Sequence, residues 1–283
     1  MLENTKISGF ADEINRDIKV QVQLLKELGI TYLEFRSANG KGIADYTPEE
    51  AIILKQYLDE NGIKVSAIGS PLGKIKITDD FEPHFEMLQR IVEIAKIMET
   101  QYIRVFSFYP PQDKDFTGYE EEVFTRLRHM VDYAKAQKVV LLHENEKDIY
   151  GEKTSECLKL MKEFYGESFR CTFDFANFVQ SKQETLEAYE LLKSYVEYVH
   201  IKDARWADGR VTPAGEGDGK LEEILTLLHE SGYNGFLSLE PHLSEFEGLK
   251  NLEKNPAKKS LTDGEAAFTI AYQALMKILK KIN

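Results

Sequence analysis

Short runs of apolar and β-branched residues recur eight times along the chain, and each run ends in polar residues. They are Lys6–Ala11, Thr31–Arg36, Lys64–Ser70, Tyr102–Phe108, Val139–Glu144, Phe169–Phe175, Val196–Lys202 and Gly235–Glu240. Their length and composition predict strands. Between them, apolar residues return at helical spacing. Ile18, Val22, Leu25 and Leu28 share one helix face, and Gly29 stops that helix. Thr47 and Pro48 open a second helix that ends at Asn61-Gly62. Further helices are predicted near Phe81–Met98, Tyr119–Gln137, Thr154–Tyr165, Gln183–Tyr195, Leu221–Ser231 and Asp263–Lys280.

Strict strand–helix alternation, eight times over, predicts an α/β fold with a single (β/α)₈ TIM barrel. An open, doubly wound sheet usually carries a glycine-rich first turn, and Gly9-Phe10-Ala11-Asp12-Glu13 lacks the GxGxxG spacing. No linker divides the chain, so residues 1–283 read as one domain, with Leu243–Leu261 as a long lid or subunit-contact connection.

In such a barrel the reactive groups lie at the C-terminal ends of the strands. Here those ends carry Glu34 and Arg36, Arg104, Glu144, Asp174, His200 with Lys202, and Glu240. Period-two alternation points Val140, Leu142 and Glu144 into the barrel and Leu141 and His143 toward the helices. The same rule turns Thr172, Asp174, Tyr198, His200, Lys202, Ser238 and Glu240 inward. Three carboxylates and an imidazole thus converge on four consecutive strand ends. Close carboxylates repel one another, and burial sharpens the repulsion. One divalent cation resolves it, and oxygen ligands with one histidine suit Mn²⁺, Mg²⁺, Co²⁺ or Zn²⁺.

Composition narrows the remaining classes. The 36 Lys and Arg residues against 48 Asp and Glu give a net charge of −12, which offers neither nucleic acid nor anionic lipid a binding footprint. No apolar run is long enough to span a membrane, and Met1–Lys6 lacks the pattern of a signal peptide. Cys157 and Cys171 read as buried thiols. The expectation is a reduced, cytoplasmic protein acting on small molecules.

Glu144-Asn145, Phe173-Asp174, His200-Ile201-Lys202-Asp203, Ser238-Leu239-Glu240-Pro241 and Pro213-Ala214-Gly215-Glu216-Gly217-Asp218 resemble the xylose-isomerase-like TIM-barrel superfamily. That superfamily includes sugar phosphate isomerases/epimerases, dehydratases and endonuclease IV. The resemblance implies that Glu144, Asp174, His200 and Glu240 bind the metal and that Glu144 and Glu240 also move protons. It implies an isomerase or epimerase of a small sugar, keto-sugar or sugar phosphate, working through a metal-stabilised enediolate. The alternative is a metal-dependent dehydratase of an inosose-like or 3-dehydroshikimate-like substrate on the same site. Relatives are often oligomers, so a homo-oligomer is expected. The chain departs from endonuclease IV at Gly69-Ser70-Pro71, Ser107-Phe108, Asn177 and the histidine-free loop Ala204–Gly217, which removes the ligands of a trinuclear zinc site. Glu146 stands where relatives often have histidine.

Lys202, Glu34, Arg104, Asn177, Glu216 and His242 are the candidate substrate-binding residues. Glu34 and Arg104 are equally readable as an ion pair, and Lys202 as a partner of Glu216. Lys74 and Lys76 belong to a loop near the mouth, and Phe106, Phe108, Tyr109 and Trp206 offer an apolar wall. His84, His129, His143 and His229 read as structural, and Asp12-Glu13 as the cap of a helix beginning near Arg16.

Overall fold

The computed structural model describes residues 6–111, 115–243 and 262–282. Its eight barrel strands are β1 (Lys6–Gly9), β2 (Tyr32–Phe35), β3 (Lys64–Ile68), β4 (Tyr102–Val105), β5 (Val140–Glu144), β6 (Phe169–Asp174), β7 (Val196–Ile201) and β8 (Phe236–Leu239). The helices are α1 (Ile18–Glu27), α2 (Pro48–Glu60), α3 (Glu82–Ile97), α4 (Glu120–Gln137), α5 (Thr154–Phe164), α6 (Phe175–Gln180), α7 (Thr185–Leu192), α8 (Leu221–Glu230) and α9 (Asp263–Ile282).

The strands run in parallel in the order β1-β8-β7-β6-β5-β4-β3-β2. Only the β1–β2 seam lacks a registered ladder among the described residues, so the TIM barrel is nearly closed. Outward residues such as Leu33, Val65, Ile103, Leu141, Phe173, Val199 and Leu237 join the helices in one buried core.

The barrel interior changes character with height. Tyr32, Tyr102, Val140 and Phe236 pack with Ala67, Leu142 and Tyr198 as an apolar floor. Above it, Ser66 Oγ lies 2.6 Å from Ser8 Oγ and 2.9 Å from the Tyr198 hydroxyl. The charged residues lie above this hydroxyl layer. A core of alternating inward residues thus forms the base on which the strand-end chemistry stands.

Several expectations change in detail. β4 ends at Val105 rather than Phe108, because Phe106, Phe108 and Tyr109 donate their amides to Leu72, Gly73 and Ile75 of the loop after β3. Helix α6 is not among the predicted elements, and the sequence pattern assigns its first residue, Phe175, to the preceding strand. It follows β6 directly, and its six residues are too few to show a periodicity. Asp17, not Asp12 or Glu13, caps α1 by accepting the Lys19 amide, while Asp12 and Glu13 belong to a 3₁₀ turn facing Arg36. The proposed lid at 243–261 lies outside the described residues except for Leu243. No helix among the described residues is long and apolar enough to cross a membrane.

Candidate active site

Glu144 and Asp174 end β5 and β6, His200 lies in β7, and Glu240 follows β8. All four are buried, and one potential ligand atom from each lies within 4.8 Å of the others. His200 Nδ1 faces the three carboxylates, at 2.9 Å from Glu144 Oε1 and 3.9 Å from both Asp174 Oδ2 and Glu240 Oε2.

The loops lock this arrangement. Asp174 Oδ1 accepts the Asn177 amide and so caps α6. Asn145 spans β5 and β6: its Oδ1 accepts the Asp174 amide and its Nδ2 donates to the Asp174 carbonyl. Asn177 Nδ2 donates to Glu144 Oε1 at 3.3 Å and to the Asn145 carbonyl. Asp174 Oδ2 is buried and makes no hydrogen bond; its near cation is Lys202 Nζ, 3.1 Å away.

Cations surround the cluster. Lys202 Nζ lies 2.8 Å from Glu240 and 3.1 Å from Asp174. Arg104 reaches Glu144 at 3.2 Å, and Arg36 reaches Glu240 at 3.3 Å while also binding Asp12 and Glu13. These charges split the carboxylates. Burial works against ionisation of Glu144, but His200 and Arg104 hold its pKa down at about 2. Burial pushes Asp174 up to about 7; Lys202 opposes this, and the Glu144 and Glu240 anions add to it. Burial likewise disfavours the Glu240 anion, yet Lys202, His242, His200 and Arg36 together hold its pKa well below the usual range.

The donor set fits a divalent ion. It comprises three carboxylates and one imidazole nitrogen turned toward them, and one of the carboxylate oxygens, Asp174 Oδ2, faces Lys202 but makes no hydrogen bond. Such oxygen-rich sites suit Mg²⁺ and Mn²⁺, and the imidazole also admits Co²⁺ and Zn²⁺.

The other candidates disperse. Glu34 does not pair with Arg104. It faces His200 Nε2 across the barrel at 3.2 Å and accepts from Ser238 at 2.7 Å. Lys202 pairs with Asp174 and Glu240, while Glu216 is exposed in the loop before α8. His242, half-exposed at the rim, lies 3.1 Å from Glu13 and 3.5 Å from Glu240. Lys74 pairs with Glu146 over the Phe106 ring, and Lys76 is exposed. Trp206 stands beside Lys182 on an outer loop. His143 is buried on the helix side of β5, 3.0 Å from Ser107 Oγ.

Phe10 was not singled out from the sequence. Its ring packs edge-on to His200 at 5.2 Å and under the Arg36 guanidinium at 4.5 Å. The inward alternation of Lys6 and Ser8, continued one residue past the strand end, would have pointed to it.

Residues 22–283 match the family described as xylose isomerase-like TIM barrel, and the chain belongs to that family. Solved structures share the whole fold. A probable 3-DHS dehydratase from Bacillus anthracis superposes with a TM-score of 0.72 at 18% identity, covering 98% of this chain and 99% of that one. A D-psicose 3-epimerase from Clostridium cellulolyticum H10 gives 0.73 at 16% identity, over 99% and 100% of the two chains. A xylose isomerase-like TIM-barrel protein from Mycobacterium smegmatis, solved in complex with magnesium, gives 0.68 at 16% over 97% of each. In sequence, an uncharacterized protein of Methanocaldococcus jannaschii is 24% identical over 164 residues. That match covers 55% of each chain, so the chain spans about half the length of this curated relative.

Proposed function

We propose that the protein is a divalent-metal-dependent isomerase or epimerase of a small keto-sugar or polyol. The convergence of Glu144, Asp174, His200 and Glu240 at the barrel mouth carries this reading. Epimerases and a magnesium complex among its fold neighbours support it.

A bound ion would polarise a substrate carbonyl and offset the negative charge that develops beside it. The chain's own residues do the rest. Glu144 and Glu240, on strands three steps apart, flank the mouth, and both are held as carboxylates. One accepts the proton from the carbon next to the carbonyl. The other takes up a proton from water, as the negative charge developing on the substrate makes it more basic, and returns it to the opposite face or to the neighbouring carbon. Asn177 and Asn145 fix the strand ends that carry Glu144 and Asp174.

The charge pattern favours an uncharged substrate over a sugar phosphate. Arg36, Lys74, Arg104 and Lys202 each already face a carboxylate. A dehydratase is the second reading. It needs an acid to protonate the leaving hydroxyl, and His242, 3.5 Å from Glu240 at the accessible rim, supplies one.

The deciding experiment is a panel of ketoses, inososes and their phosphates, assayed in D₂O with Mn²⁺ and again after chelation. The expected result is Mn²⁺-dependent exchange of one carbon-bound hydrogen in an uncharged ketose, with an isomeric product. An unsaturated product would select the dehydratase. Turnover unaffected by chelation would sink both readings. Action on small molecules in the cytoplasm, without nucleic acid or membrane partners, and assembly into a homo-oligomer belong to the same proposal.

A further inference from the structure

We propose that Glu34 is a positioning residue for the metal centre: it fixes His200 with Nε2 protonated and so turns the Nδ1 lone pair onto the ion. The inference rests on the reading that the cluster holds a divalent cation, and it moves Glu34 out of the substrate-binding set.

Glu34 belongs to β2, on the far side of the barrel from β7. Its side chain is fully buried, and both of its oxygens are already engaged within the barrel. Its two oxygens lie 3.3 and 3.2 Å from His200 Nε2. Oε2 also accepts from Ser238 Oγ at 2.7 Å. No lysine or arginine pairs with it among the described residues, although burying a carboxylate without a partner is costly. The imidazole is therefore the group that accounts for this charge.

Two neighbouring rings pack against the imidazole in this orientation. Phe10 packs against it edge-on at 5.2 Å, and Tyr198 stands perpendicular to it at 5.7 Å. Nδ1 faces Glu144, Asp174 and Glu240. An ion held by those carboxylates would be able to take the Nδ1 lone pair only with the ring proton on Nε2, where Glu34 is the acceptor within reach. A carboxylate behind a ligating histidine both sets the tautomer and makes the ligating nitrogen more basic. Ser238 of β8, two residues before Glu240, in turn holds the Glu34 oxygen.

The test is Mn²⁺ titration calorimetry on the full chain and on Glu34→Gln, with thermal unfolding as the fold control. Glutamine keeps the shape and an acceptor oxygen but removes the charge. Losing such a partner typically weakens metal affinity by roughly 10–100-fold, and that is the expected loss. If the variant does not fold, the ¹⁵N-histidine spectrum of the Zn²⁺-loaded wild-type protein decides. It should show His200 with a proton on Nε2 and a coordinated Nδ1. Mn²⁺ affinity within twofold of wild type in a folded Glu34→Gln, or a proton on Nδ1 in the Zn²⁺ form, overturns the role of Glu34 alone. A wild-type protein that takes up neither ion overturns the metal reading and this inference with it.

Discussion

Lys202 Nζ lies 2.8 Å from Glu240 Oε2, deep in the barrel mouth. The same ammonium is 3.1 Å from Asp174 Oδ2, so one lysine neutralises two of the four candidate ligands. Both carboxylates are also the ones that a divalent ion would draw on. A bound ion would therefore compete with the lysine for the same oxygens, and each would stabilise the cluster when the other is weakly held.

Lys202→Met should accordingly act most strongly on the metal-free protein. Removing one member of a buried, hydrogen-bonded ion pair costs about 3–5 kcal/mol, and urea unfolding should show a loss of that order. Saturating Mn²⁺ should narrow the deficit by supplying the missing positive charge. In turnover, a rise in KM alone would mean that Lys202 only holds substrate. A fall in kcat would mean that it also stabilises charge developing in the transition state. Metal-free stability within 0.5 kcal/mol of wild type, a margin typical of surface changes, would contradict the ion-pair account.

Asp203 presents a different kind of carboxylate. It accepts the amides of Ala204, Gly215, Gly217 and Gly219, so the loop before α8 wraps around one side chain. A Cβ on Gly217 or Gly219 would stand 2.5 or 2.7 Å from Asp203 Oδ1, which is why the loop repeats glycine. Asp203→Ala would leave these four donors without their acceptor. At about 1–3 kcal/mol for each unsatisfied buried group, partly recovered by water, we expect a loss of at least 3 kcal/mol by chemical denaturation. Asp203→Asn keeps one acceptor oxygen and should cost less. Equal stabilities for all three proteins would remove Asp203 as the organiser of the loop.

The contrast between Asp203 and Glu144 shows what the sequence conveys. Glu144 follows Val140 and Leu142 at period two, so its inward direction and strand-end height follow from local pattern. The same holds for Asp174, His200 and Glu240, and with them for the barrel. The partner of a side chain that crosses the barrel is not a local property. Glu34 meets His200 only because β2 and β7 face one another across the barrel. Asp203 explains a glycine cluster that begins 12 residues later, and nothing in the intervening sequence marks the connection. Asp12 and Glu13 look like helix caps until Arg36 of the next unit is placed beside them.

His84 supplies a pH dependence with a definite sign. Its Nε2 accepts the Gly73 amide at 2.7 Å, so a proton on that nitrogen would break the bond. Burial, reinforced by Arg126, holds its pKa down at about 4, against an ordinary value near 6.5. As pH falls, the unfolded chain takes up the proton first. The contribution of His84 is therefore complete above about pH 6.5 and is lost as the pH falls through that value toward 4. At 1.36 kcal/mol per pH unit, the full span corresponds to roughly 3 kcal/mol. His84→Gln retains an acceptor for Gly73 but does not titrate. Denaturation between pH 7 and 4 should show a shallower decline in the variant, and parallel curves for the two proteins would count against the assignment.

Glu144 and Glu240 are the pair on which the proposed chemistry turns, and they have unequal surroundings. Glu144 is held by His200, Arg104 and Asn177, while Glu240 meets Lys202, Arg36 and the rim histidine His242. Glu144→Gln and Glu240→Gln keep the shape and one coordinating oxygen but lose the basic carboxylate. A general base contributes roughly 10²–10⁴-fold in rate, and a weakened metal site adds to the loss. Each variant should nearly abolish turnover while the barrel stays folded, because strand-end residues in this fold serve function more than stability. Metal content must be measured in parallel, since lost occupancy imitates lost proton transfer. The two variants can also be told apart. If one glutamate only removes the proton and the other only returns it, the variant lacking the second should still exchange the substrate's carbon-bound hydrogen with solvent without forming product. A metal-loaded variant with near-normal kcat would leave that glutamate as a ligand only and assign proton transfer to its partner.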